Sequence, residues 1–320
     1  MTIAGTTGTP VPLCVVVLAS RDRARTIVKD AFPRRRTRLT LARNVREFER
    51  AFRTGLVDAA VVDLGGTTED VMRAIDLARE FPSAPFFALS PLRAIDGALA
   101  ARAAAYDFAD VLVDGVDDHV LRDLVIPRAF TTRFALALAV PPESLHVNTP
   151  LRLESWRVLV EHAGRPIHTN AVAEALGVTR EHLSRAFGAA GAPNLKRVID
   201  LVRLAAAAEL SKNPGYDVGD VARVLGFASS SHLSTTSQRI VGIRPSSLAR
   251  LRTVDLIERF VHGRMRSRPV VRGRRVAAGG EPAGRRPGRS PFVIPPGRGE
   301  PENWGGWGPP DGEERPILFA

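Results

Sequence analysis

The sequence predicts an α/β domain with a five-stranded parallel sheet, then an all-α domain, then a disordered tail. Short apolar runs alternate with helical patterns through residues 12–126, whereas residues 151–264 show helical spacing and no strand-like run. Residues 265–320 are rich in Arg, Pro and Gly, so they bury too little surface to offset chain entropy. A disordered leader is expected at residues 1–11, and a helical connector with a linker at 127–150.

Strands and helices alternate in the predicted α/β domain. Two apolar runs, residues 15–18 and 59–64, are continuous, as expected for strands buried on both faces. Because five β/α repeats of this length imply right-handed crossovers, the strands should be parallel. The predicted strands are 13–19, 37–41, 59–64, 85–89 and 110–113, and the predicted helices are 22–32, 45–56, 68–81 and 94–105, with a last helix starting near Asp117.

Prolines mark the stretch between the two domains. Pro127 ends the β/α rhythm, and Pro141 and Pro142 interrupt the chain again. Because proline ends or kinks a helix, we expect a helical connector at residues 128–140 and a linker at 141–150.

Composition limits the partners and the compartment. The 320-residue chain carries a net charge of +11, which favours a polyanionic partner, although a solvated Arg-rich surface is the plainer explanation. Its single cysteine, Cys14, excludes a disulfide framework or a cysteine-based zinc site, and a buried apolar role is expected for it. No apolar run is long enough to span a membrane, and no signal peptide is seen, so a cytoplasmic location is expected.

The helical domain repeats one pattern twice: a short apolar helix, a glycine turn and a second helix. In the first copy, Thr169 or Asn170 is predicted to cap the first helix, and Gly177 to turn the chain with a positive φ. Thr179 then caps the second helix. On that helix Leu183 and Phe187 are four residues apart and should pack inward. The outward side chains are Arg180, Glu181, Ser184 and Arg185.

The second copy follows a helix whose apolar residues recur at helical spacing from Leu195 to Ala205. Asp217 is predicted to cap its first helix, Gly226 to form the turn, and residues 229–231 to open the second helix. The outer face of that helix would present Ser231, Ser234, Thr235 and Gln238. His182 and His232 occupy corresponding places and are expected on the surface rather than at a metal.

These pieces resemble the DNA-binding domain of the AraC/XylS family of bacterial transcription regulators. The matching pieces, in order, are LGVTREHLSRAF, the Arg203-Leu204 pair, VARVLGF, SSSHLS and GIRPSSL. The resemblance implies two helix-turn-helix subdomains joined by a linker helix, with both recognition helices in successive major-groove segments. The candidate DNA-binding residues are Thr179, Arg180, Glu181, Ser184, Arg185, Ser230, Ser231, Ser234, Thr235 and Gln238.

Arg185 is the strongest candidate for a base contact, because an arginine can pair bidentately with guanine. A phosphate contact, or a salt bridge to Glu181 one turn away, is the alternative. The second unit departs from the family, which usually carries Arg and Phe where this chain has Thr235 and Ser237. Losing such a core ring typically costs about 3–5 kcal/mol unless neighbours repack, so a less rigid and less selective second unit is expected.

The β/α rhythm resembles the receiver domain of response regulators. Asp63 closes the third predicted strand, where receivers keep their phosphoacceptor, and Ser90 closes the fourth. The residues after the first strand, ASRD at 19–22, leave at most Asp22 of the acidic pair that holds Mg²⁺, and Asp114 replaces the receiver lysine. A receiver-like domain without conventional phosphorylation is expected, in which Asp63 caps the next turn.

The expected function is a sequence-specific DNA-binding transcription regulator whose partner is double-stranded DNA. Its N-terminal domain would serve dimerisation or protein contact, with a homodimer or RNA polymerase as partner. The alternative is a two-component response regulator switched by phosphate on Asp63. No catalytic, cofactor or metal site is expected. The tail is either a solubilising extension or a nonspecific phosphate contact, and Trp304 and Trp307 have no assigned role.

Overall fold

The structure is a computed structural model that describes residues 11–93, 96–188 and 192–266. The predicted disorder of the leader and of the tail, with Trp304 and Trp307, therefore falls almost wholly outside the described residues. Within them, no helix is both long enough and apolar enough to cross a membrane.

The first part of the chain is a five-stranded parallel sheet in the order β2-β1-β3-β4-β5, with helices between the strands. This is the strand order of receiver and flavodoxin-like doubly wound folds, so the predicted fold class is confirmed. The strands are β1 (Leu13–Leu18), β2 (Thr37–Ala42), β3 (Ala59–Asp63), β4 (Phe86–Ser90) and β5 (Asp110–Val113). The helices are α1 (Asp22–Ala31), α2 (Val45–Thr54), α3 (Thr68–Glu80), α4 (Asp96–Ala105) and α5 (Leu121–Arg128).

The predicted start of the last helix of this domain was wrong. α5 begins at Leu121 rather than near Asp117. The Asp117 carboxylate instead accepts a hydrogen bond from the Val113 amide, at 2.7 Å, in a turn after β5. That turn uses the residues that would otherwise form the first turn of the helix.

Both faces of the sheet are apolar, which is why the inner strands β1 and β3 show continuous apolar runs, whereas the edge strand β2 includes exposed polar residues. One face packs against α2, α3 and α4, and the other packs against α1 and α5. The first face contains an aromatic cluster in which Phe52 lies 4.6 Å from Phe81 and 5.7 Å from Phe86, measured between ring centroids. These rings fix the ends of α2 and α3, the two helices that meet the helical domain.

The second part of the chain is all-helical, and its helices share one core. Trp156 is buried in that core and donates a hydrogen bond from Nε1 to the Leu138 carbonyl at 2.7 Å. The connector helix α6 also buries Phe130 and Phe134 there. The helices are α6 (Phe130–Ala137), α7 (Pro150–Glu161), α8 (Thr169–Ala175), α9 (Arg180–Gly188), α10 (Leu195–Leu210), α11 (Val218–Val224), α12 (Ser230–Val241) and α13 (Thr253–Arg266), with 3-10 turns at Glu143–Leu145 and Pro245–Arg250.

The helical part packs against the edge of the sheet where the strands begin. The Tyr216 ring lies 4.8 Å from the Phe81 ring, and its hydroxyl donates to the Phe52 carbonyl at 2.9 Å. Arg53 pairs with Asp220 at 2.7 Å. Apolar, polar and charged contacts thus all join α2 and α3 to the segment around α11.

A buried ion pair joins the same two parts at the start of β3. Asp58 is fully buried, and its carboxylate pairs with Arg165 at 2.5 Å. It also accepts hydrogen bonds from the amides of Cys14 at 2.7 Å and Thr131 at 2.9 Å. Cys14 itself is partly buried, and burial raises the pKa of its thiol.

Candidate nucleic-acid interface

The first helix-turn-helix unit consists of α8, a turn and α9. Gly177 has a φ of 64°, and Thr179 Oγ1 accepts a hydrogen bond from the His182 amide at 3.2 Å, so both the predicted turn and the predicted cap of the second helix are confirmed. The predicted cap of the first helix was wrong. His168 is the N-cap, because Thr169 and Asn170 already lie within α8.

The side chains of α9 divide between a core face and a solvent face. Leu183 and Phe187 are fully buried, as their spacing predicts. No ion pair joins Arg185 to Glu181 or to any other described residue, so the guanidinium is available to a ligand. The candidate DNA-binding residues of this unit are all exposed, namely Thr179, Arg180, Glu181, Ser184 and Arg185.

The second unit consists of α11, a turn and α12. Asp217 caps α11 in a reciprocal arrangement with Asp220, and Gly226 turns the chain with a φ of 63°. Ser229 Oγ accepts from the His232 amide at 3.1 Å and so caps α12. The outer face carries the exposed residues Ser230, Ser231, Thr235 and Gln238 and the partly exposed Ser234.

Two small polar residues of α12, Ser237 and Thr235, stand where the family resemblance predicts Phe and Arg. Ser237 is fully buried, and its hydroxyl donates to the Ile243 carbonyl at 2.8 Å. Thr235 Oγ1 donates to the Ser231 carbonyl, at 3.0 Å, within its own helix. The hydrogen bond of Ser237 therefore ties α12 to the chain that follows it, at the position where a ring was expected.

One long helix holds the two units apart. α10 has 16 residues, which corresponds to a rise of about 24 Å. Asn194 caps it by accepting a hydrogen bond from the Arg197 amide at 2.9 Å. Leu204 and Ala208 are among the many residues it buries in the shared core, so the helix is a rigid spacer.

A polar cluster lies at the edge of the sheet where the strands end, opposite the edge that contacts the helical part. Asp63 is buried at the end of β3, and Arg21 Nε lies 3.0 Å from each of its carboxylate oxygens. Arg21 Nη2 is 2.6 Å from Asp63 Oδ1, and Nη1 is 2.9 Å from Asp114 Oδ2. Asp63 also accepts from the Gly65 amide at 3.0 Å, which confirms its predicted role in the next turn.

Arg21 is the residue of this cluster that the sequence reasoning missed. It stands within the segment after β1 where receivers place acidic residues, and that reversal of charge was the available signal. Asp22, by contrast, is exposed. Burial disfavours charge on Asp114, but hydrogen bonds from Arg23 and Arg21 lower the pKa of this carboxyl below its usual range. No group of three candidate metal ligands occurs among the described residues.

A helix-turn-helix region joined to a receiver-like α/β part is the architecture of a DNA-binding transcription regulator. Residues 172–250 match the family model described as a helix-turn-helix domain, and this domain is of the AraC type. Comparison with curated proteins found no match.

Several solved structures of response regulators are similar to this chain. A response regulator from Thermotoga maritima is 19% identical, with a TM-score of 0.32, and the match covers 37% of this chain and 98% of that one. A response regulator protein from Burkholderia pseudomallei is 20% identical, with a TM-score of 0.31 and coverages of 55% and 98%. Full-length FixJ from B. japonicum is 14% identical, with a TM-score of 0.32 and coverages of 70% and 100%.

Proposed function

We propose that the protein recognises a specific DNA sequence by placing α9 and α12 in two adjacent major-groove segments. The observation that carries this proposal is that α9 and α12 each have a polar, exposed face opposite a buried leucine. The leucine is Leu183 in α9 and Leu233 in α12. Each face follows a positive-φ glycine turn, and α10 fixes the separation of the two units. This is the geometry by which a helix-turn-helix presents its second helix to base edges.

The two recognition helices would contribute unequally to sequence discrimination. Arg185 is long, exposed and unpaired among the described residues, and a bidentate contact with guanine is worth roughly 1–3 kcal/mol of discrimination. The outer face of α12 carries short hydroxyl side chains, such as Ser231 and Thr235, and one of them already bonds within the helix. We therefore propose that α9 dominates base recognition and that α12 mainly orients the protein on the duplex.

Selection of bound duplexes from a random pool tests this proposal. Two motifs about one helical turn apart, roughly 10 bp, are expected, with the stronger information under α9. Arg185→Ala should relax the preference at one position of that motif. Arg34→Ala is the matched control, because Arg34 is an exposed arginine of the α/β domain. If the wild-type chain binds selected and random duplexes equally at every salt concentration, the proposal is wrong.

We further propose that the receiver-like domain acts through protein contact, as a homodimer interface or a surface for RNA polymerase, and not through phosphate on Asp63. This is supported by the Arg21 guanidinium, which already donates hydrogen bonds to both carboxylate oxygens of Asp63. Treatment with a small phosphodonor tests the point: acid-labile phosphate that is lost in Asp63→Asn would favour the response-regulator alternative. Light scattering of the full chain, with and without its DNA site, tests dimer formation.

A further inference from the structure

A polar cleft lies between the two helix-turn-helix units, along α10. Its volume of about 510 Å³ far exceeds the roughly 30 Å³ share of one water molecule, so it can admit part of a larger ligand. The loop before α8, the start of α9, one face of α10 and the side of α12 form its walls. The charged and ring side chains that matter here are Arg180, Lys196, Asp200, Arg203, His232 and Arg239.

Cationic side chains outnumber carboxylates in this inter-unit cleft. Arg180 at the start of α9 and Lys196 near the start of α10 are exposed, and neither forms an ion pair with a described residue. The cleft carboxylate, Asp200, is largely buried on α10 and pairs with Arg239 of α12 at 2.7 Å. Asp200 thus holds the Arg239 guanidinium at the cleft wall while the Arg239 side chain stays 52% exposed. The cleft is therefore a preformed site of net positive charge.

Arg203 of α10 also lines the cleft, and the hydrogen-bonding capacity of its guanidinium is only partly used. Its guanidinium stacks on Phe227, 4.0 Å from the ring centroid, and Nη2 donates to the Leu225 carbonyl at 3.0 Å. Its Nε, however, is buried and has no hydrogen-bond partner among the described residues. A buried donor without an acceptor is unfavourable, and the Arg203 guanidinium adds a further positive charge to the wall of the cleft.

We propose that the inter-unit cleft binds a phosphodiester of the DNA backbone that runs between the two major-groove segments. The inference rests on the proposed function, since α9 and α12 must contact one duplex for the backbone to cross here. Arg180 and Arg239 would approach the backbone from the two units, and Lys196 from the helix that joins them. Such contacts set the register of a protein on DNA and carry no sequence information directly.

The salt dependence of binding by the full chain tests this site. Lys196→Gln should lower the slope of log affinity against log salt by about 0.9, the value expected for one phosphate contact. Affinity for the selected duplex and for a random duplex should fall by the same factor. Lys29→Gln is the matched control, because Lys29 is an exposed lysine on α1 whose loss should leave the slope unchanged.

A second variant tests the opposite wall of the cleft. Removing Arg239 alone would strand the largely buried Asp200 carboxylate, so Arg239→Gln is combined with Asp200→Asn. This double variant should also lower the slope by about 0.9, with unchanged discrimination between the two duplexes.

The outcomes separate this proposal from the function on which it rests. If both cleft variants keep the wild-type slope of log affinity against log salt, the proposed phosphate contact is wrong. It is also wrong if a variant changes the discrimination between the two duplexes without changing that slope. In either case, loss of discrimination in Arg185→Ala would still support recognition by α9. If the wild-type chain shows no preference for any duplex, the proposed function itself fails.

Discussion

The buried Asp58 carboxylate offers the sharpest test of how the two parts of the chain are held together. Asp58→Ala removes the partner of Arg165, and it also removes the acceptor for the amides of Cys14 and Thr131. The Asp58 side chain has 0% exposure, so water cannot take the place of the carboxylate without local opening. The change is confined to one strand end and leaves the DNA-binding residues untouched.

The expected loss follows from these contacts. Breaking a buried ion pair by removing one partner costs about 3–5 kcal/mol, because the other charge is left without compensation. Arg165 retains 17% exposure and a hydrogen bond to Thr131 Oγ1 at 2.7 Å, which places the expectation near the lower end, about 3 kcal/mol. The loss applies to the free energy of unfolding of the compact unit that the α/β part and the helical part form together.

Urea unfolding followed by circular dichroism measures this loss as a lower midpoint concentration of urea, with an unchanged dependence of the unfolding free energy on urea concentration. Asp76→Ala is the matched control, because Asp76 pairs with Arg102 at the surface, where such pairs contribute about 0–1 kcal/mol. A loss below about 1 kcal/mol in Asp58→Ala would refute the reasoning, since the pair would then behave like a surface pair.

Three further perturbations have defined outcomes. Arg21→Ala leaves Asp63 and Asp114 as neighbouring buried carboxylates, so Mg²⁺ should raise the melting temperature of this variant and not that of the wild type. Burial lowers the pKa of His162 below its ordinary value of about 6.5, so the unfolded chain takes up the proton first as the pH falls. The free energy of unfolding should therefore decrease as the pH drops below that value, and His162→Gln should flatten this pH dependence. Ser237→Ala leaves the Ile243 carbonyl without its partner and should cost about 1 kcal/mol in urea unfolding.

Each of these expectations has a clear contrary result. Equal Mg²⁺ effects on wild type and Arg21→Ala would show that the guanidinium does not exclude cations. A pH dependence that survives in His162→Gln would assign it to another group. For Ser237, the control is Ser234→Ala on the partly exposed side of the same helix, and equal losses in the two variants would contradict the proposed hydrogen-bond role.

Local patterns in the sequence predicted the elements and the faces of the fold. The short runs placed all five strands to within about one residue. The signal was clearest for β3, because a strand buried on both faces needs continuous apolar side chains. The four-residue spacing of Leu183 and Phe187 likewise predicted the inward face of α9. The candidate DNA-binding residues follow from that face and stay a prediction that duplex selection can test.

Long-range pairs were beyond the reach of the same reasoning. Arg21 meets Asp63 across 42 positions, and Arg165 meets Asp58 across 107. Periodicity reports which way a side chain faces within one element, and it carries no information on which distant element lies opposite. The sequence thus placed Asp63 at the end of β3, and the charge reversal after β1 hinted at Arg21, but the pairing of the two side chains had to come from the structure.

β3 carries a buried aspartate at each end, and this has a mechanical consequence. Asp58 precedes the strand and binds Arg165 of the helical part, while Asp63 ends it and binds Arg21. Five residue steps separate them, a distance of about 17 Å in an extended strand. The strand is thus held at both ends by guanidinium groups, one from the helical part and one from the segment after β1. Arg165 lies in the loop that leads into the first helix-turn-helix unit, so this loop is attached directly to the start of β3.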